Sequence, residues 1–72
     1  MIKLTDSDVG HRVRTKNGYE GLLASNSFAN TYFPFTVFFE EQFDVYTVNG
    51  KANLGDIESE WDIVEVLNRG EQ

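Results

Sequence analysis

The chain has no cysteine, one histidine, one proline and one methionine among its 72 residues. Without cysteine there is no disulfide, no thiolate nucleophile and no thiolate metal ligand. The lone His11 has no partner from which to build a zinc site or a catalytic pair. Ser25, Ser27 and Ser59 lie in no nucleophile-elbow context, and no glycine-rich phosphate loop is present. No apolar run approaches the roughly 20 residues of a membrane span, and residues 1–20 carry no apolar run of signal-peptide length. These absences point away from catalysis and from the membrane, call for no cofactor or metal, and lead us to expect a cytoplasmic protein.

Cations are also scarce, six against twelve carboxylates, for a net charge of −6. Residues 1–35 carry Lys3, Arg12, Arg14 and Lys16 against Asp6, Asp8 and Glu20, a net +1. Residues 36–72 carry Lys51 and Arg69 against nine carboxylates, a net −7. Nucleic-acid binding needs a basic face that displaces counterions from phosphates. Only Arg12, Arg14 and Lys16 offer one, and the acidic half repels nucleic acid and anionic lipid.

Aromatic residues are abundant: six Phe, three Tyr and one Trp. A domain this short must hold its core together with large apolar side chains. The pattern reads as short strands. Residues 5–10 fit one helical turn capped by Thr5 or Asp6 and ended by Gly10. His11 to Thr15 alternates, with Arg12 and Arg14 on one face and Val13 and Thr15 on the other. Lys16-Asn17-Gly18 turns the chain, and Tyr19 to Ser25 returns, with Gly21 permitting a bulge or bend. Residues 25–34 form the longest loop, closed by Pro34. Phe35 to Glu40 reads as a strand covered on both faces, Glu40-Glu41-Gln42 as a turn, and Phe43 to Val48 as an alternating strand. Asn49-Gly50 signals a type I′ hairpin with Lys51 to Leu54 as its return. Residues 57–67 carry both helical spacing (Ile57, Trp61, Val64, Leu67) and a β-branched cluster, with the balance toward a strand preceded by a helical turn near 57–60. The expectation is mainly β: a small antiparallel five- to six-stranded barrel or roll with one or two short helical turns, one domain over residues 1–72, frayed at 1–4 and 68–72.

Val9-Gly10, Val13-Arg14, Asn17-Gly18 and Gly21 resemble the opening hairpin of small SH3-like barrels. Tyr32-Phe33-Pro34-Phe35, Tyr46-Thr47 with Asn49-Gly50-Lys51, Glu58-Ser59 and Asp62-Ile63-Val64 are similar, in that order, to segments of short proteins encoded by bacteriophages and prophages. The resemblance implies a phage accessory protein with an SH3-like barrel and carries over no functional residue.

Eight of the ten aromatics fall between residues 28 and 46. So small an interior holds only some of them, at roughly 150–250 Å² each. Phe33, Phe35, Phe39, Phe43 and Trp61 are the expected core. Phe28, Tyr32 and Phe38, with Glu40 and Glu41 as an acidic rim, are the expected protein-binding surface. Two carboxylate clusters stand out: Glu40, Glu41 and Asp44, and the alternating Asp56, Glu58, Glu60 and Asp62, which on a strand would line one face. Neither has the ligand order of a calcium loop. They read as a solvated face, a phosphate mimic or a divalent-cation site. Three functions follow: a non-catalytic module that binds a host or phage protein, with a basic partner or a second copy as candidates; an acidic inhibitor of a DNA- or RNA-handling enzyme; and a nucleic-acid binder through Arg12, Arg14 and Lys16 with Tyr19 stacking on a base.

Overall fold

Alternation within the first strand sets the two faces of the sheet. In the computed structural model, which describes residues 2–26, 32–55 and 57–68, Arg12–Thr15 forms β1, with Val13 and Thr15 buried and the two arginines outward. The remaining strands are β2 (Glu20–Ser25), β3 (Phe35–Phe38), β4 (Phe43–Tyr46) and β5 (Ile63–Val66). They pair antiparallel in the order β4-β3-β2-β1-β5. The fold is therefore mainly β, as expected, and the described residues place five strands in one open sheet. Its two edges, β4 and β5, form no ladder with each other among the described residues. They approach where the Ile63 N–H donates to the Gly50 carbonyl at 2.8 Å. No helix among the described residues is long and apolar enough to cross a membrane.

A 3-10 turn spans Asp6–Asp8. The Thr5 N–H donates to the Asp8 carboxylate at 2.9 Å, and Gly10 follows at positive φ, +94°. A second helical turn near 57–60 is not formed by the described residues.

The Asn49-Gly50 turn differs from the expected type I′, and the Asn17-Gly18 turn has the same form. Gly18 and Gly50 have positive φ (+93° and +74°), while Asn17 and Asn49 do not. Each is a three-residue loop, a type I turn closed by a left-handed glycine. Beyond Gly50 the expected return strand at Lys51 to Leu54 does not form. Hydrogen bonds from another segment lead the chain elsewhere: the Ile63 N–H donates to the Gly50 carbonyl, and Asp62 Oδ1 accepts the Ala52 N–H at 2.9 Å. Residues 57–67 resolve in favour of a strand, Ile63–Val66, whose β-branched residues suit a pleated surface.

The core comprises Leu4, Val13, Leu23, Phe35, Val37, Tyr46, Ile63 and Val66. Among the expected core aromatics, Phe35 is buried, whereas Phe33, Phe39 and Trp61 are half-buried. Phe43 is 65% exposed, a reversal of the expectation. The reason is the phase of β4. Register places Tyr46 opposite Phe35 and Phe43 opposite Phe38, so Tyr46 takes the inner face. A buried tyrosine needs a partner for its hydroxyl, and Tyr46 donates to the Trp61 carbonyl at 2.7 Å. Burial, with the nearby Asp44 and Asp62 charges, pushes the Tyr46 phenol well above its ordinary range.

Gly21 is needed where β2 and β3 cross closely. A Cβ there would lie 2.5 Å from a Val37 methyl and 2.8 Å from the Phe38 carbonyl oxygen.

Candidate functional site

The outer face of the sheet divides into a charged half and an apolar half. Register aligns Arg12, Leu22, Phe38 and Phe43 in one row across β1 to β4. Leu22 is 44% exposed, Phe38 52% and Phe43 65%, and the two phenylalanine rings stand 6.0 Å apart, tilted by 48°. The neighbouring row is more covered: Thr36 is buried, and Ala24 and Val45 are half-buried. Toward β1 and β5 the face becomes ionic. Arg14 reaches Glu65 at 2.6 Å and Glu20 at 3.3 Å, and Arg12 lies 3.7 Å from Glu20.

Lys16 lies 3.0 Å from Glu58. Their hydrogen bond and mutual charge raise the lysine and lower the carboxylate from their ordinary values. Arg12, Arg14 and Lys16 thus each face a carboxylate of the chain itself, an intramolecular pairing that softens the basic strip.

The second acidic cluster does not line a strand face. Glu58 pairs with Lys16 and Glu60 is exposed, while Asp62 turns inward and is 5% exposed. Asp56 lies outside the described residues. Asp62 accepts the Ala52 N–H and the Ser59 N–H (3.1 Å), and Lys51 Nζ lies 3.1 Å away. Burial acts to raise its carboxyl, but those donors and the lysine outweigh it and hold the group below its usual range. Asp62 is thus a structural anchor. Among the described residues no group of three His, Asp or Glu side chains is placed to hold a metal ion.

The residues expected to bind a partner fall in separate places. Phe38 belongs to the apolar row, and Glu40 and Glu41 occupy the turn joining β3 to β4, closed by the Phe39 N–H donating to Gln42 O at 2.8 Å. Tyr32, 66% exposed, lies in a shallow groove with Val48 and Leu54, away from that row. Phe28 lies outside the described residues. Sequence reasoning missed Leu22 and Phe43; the β2 and β4 alternations held the signal, but the choice of inner face was open.

It also missed a cleft between the β1–β2 turn and the β3–β4 turn. Tyr19, Trp61 and Phe39 form its aromatic wall, with Glu40 and Glu41 at the margin. Tyr19 and Trp61 stack at 4.9 Å with planes 14° apart, and Phe39 meets Trp61 edge-on at 5.2 Å. Tyr19 keeps 56% of its surface exposed. These rings come from distant parts of the chain, so no local motif marks them.

No family model, curated protein or solved structure matches the chain.

Proposed function

We propose that this chain is a small protein-binding module that works without catalysis, docking a partner on the Leu22–Phe38–Phe43 row. One observation carries the reading: three large apolar side chains, aligned by strand register, stand side by side in solvent. Burying such a row removes apolar area from water, and two adjacent rings make a compact anchor of the kind that dominates binding energy.

Charge selects the class of partner. Glu40 and Glu41, in the turn that follows Phe38, border the row. A second copy docked with its own β3–β4 turn over this one would set these carboxylates against their equivalents. A basic protein meets them favourably and is steered toward them. The similarity to small phage-encoded proteins makes a host or phage protein the candidate.

The test is capture of binding proteins from bacterial lysate by immobilised wild type and by a Phe38→Ser/Phe43→Ser variant. Both positions are exposed, so the variant keeps its thermal transition. The expected result is a partner retained by wild type and weakened about tenfold or more in the variant. Undiminished capture by the folded variant overturns the reading, as does a wild-type protein that sediments as a self-associated dimer through this face.

A further inference from the structure

We propose that the cleft between the Thr15–Tyr19 turn and the Phe39–Gln42 turn receives an arginine side chain of a protein partner. Two independent features meet there. The first is the aromatic wall. Tyr19 and Trp61 present stacked rings beside Phe39, and more than half of Tyr19 remains in solvent. An aromatic face attracts a cation through its quadrupole, and the planar guanidinium also stacks on it.

The second feature is charge without an internal answer. Glu20 also lines the cleft, but it is engaged by Arg12 and Arg14. Glu40 and Glu41 make no ion pair among the described residues, whereas Arg12, Arg14, Lys16 and Lys51 all pair elsewhere. A cation entering the cleft therefore finds an aromatic surface and two unspent carboxylates. Guanidinium suits both at once, because its fork of donors bonds carboxylate while its plane lies on a ring. An ammonium ion offers no plane to stack.

The inference deepens the docking reading by naming the charge a partner brings beside the apolar row. The cleft shares the β3–β4 turn with that row, since Phe38 and Phe43 flank Phe39–Gln42.

Trp61 is the only tryptophan and forms part of the wall, so its emission reports occupancy directly. The experiment titrates the full chain with tetra-arginine amide, and separately with tetra-lysine amide, at constant ionic strength. The expected result is a saturable change in Trp61 emission with tetra-arginine. It weakens about tenfold in Glu40→Gln/Glu41→Gln, whose exposed turn positions leave folding intact. It weakens also in Tyr19→Leu, which keeps apolar cover on Trp61 but removes the ring. No saturable change, an unaltered response in either variant, or equally tight binding of tetra-lysine overturns the proposal. The probe has no apolar side chain to seat on Phe38 and Phe43. Failure of this titration is therefore separable from failure of the docking reading, which the capture experiment alone decides.

Discussion

The turns at Thr15–Tyr19 and Thr47–Lys51 share the sequence Thr-x-Asn-Gly and the same bonds, yet only the first opens into a two-stranded ladder. In each, the threonine N–H donates to the carbonyl four residues on (2.8 and 2.9 Å), and the glycine N–H returns to the threonine carbonyl (3.0 and 2.9 Å). In each, the N–H of the residue after glycine donates to the threonine hydroxyl at 3.1 Å. The difference lies in how residues 60–63 grip them. They hold the first turn at its centre, through Lys16 N–H to Asp62 O and Asn17 N–H to Glu60 O, both at 2.9 Å. Its exit is left free to become β2. They hold the second turn at its exit, through Gly50 O and Ala52 N–H, and so tie the departing chain to residues 62 and 63 instead of to β4. Local sequence chose the turn, and distant hydrogen bonds chose what followed it.

Removing the grip should break the contrast most severely. Asp62→Ala strands two backbone donors and leaves Lys51 without its carboxylate, at a cost of about 3 kcal/mol by urea denaturation. Because the folded carboxyl titrates below its ordinary value, its stabilisation is complete above the unfolded pKa, about 4. It is lost as pH falls through the lower folded value. The gap between wild type and Asp62→Ala should therefore be constant from about pH 5 to 7 and narrow below about pH 4. A gap that widens on acidification contradicts this role.

Glycine substitution sharpens the comparison at intermediate cost. Alanine at either turn meets the strain of positive φ, about 1 kcal/mol. At Gly18 a Cβ enters open space, whereas at Gly50 it meets an Ile2 methyl at 2.9 Å and the Ile63 carbonyl oxygen at 3.2 Å. Gly18→Ala should cost about 1 kcal/mol and Gly50→Ala about 2–3 kcal/mol. Equal losses in paired melts would mean that Ile2 and Ile63 yield freely. The smallest effect belongs to Lys16→Gln at the first turn. Its partner Glu58 is solvent-exposed, and the melting temperature should not move measurably.

Much of this architecture is legible in the residue pattern. Alternation gives the faces of β1, the glycines mark the turns, and β-branched residues identify β5. Two things escape it. In β4, Phe43 and Tyr46 sit in opposite phases, and side-chain hydrophobicity favours burying the wrong one. The deciding partner of Tyr46, the Trp61 carbonyl, belongs to another segment. For the same reason the surface candidates were recovered only in part. Exposure of Phe38 follows from an excess of rings, but its alignment with Leu22 and Phe43 requires strand register. The Tyr19–Trp61 stack requires the whole fold.

The order β4-β3-β2-β1-β5 also bears on how the chain is made. Three of its four ladders join strands adjacent in sequence and can form while the chain is still emerging from the ribosome. The fourth waits for residues 63–66, and until they arrive β1 is a sheet margin with unpaired amides. The nascent protein is thus most prone to stray β-pairing just before its last strand appears, and a ribosome paused there would prolong that exposure.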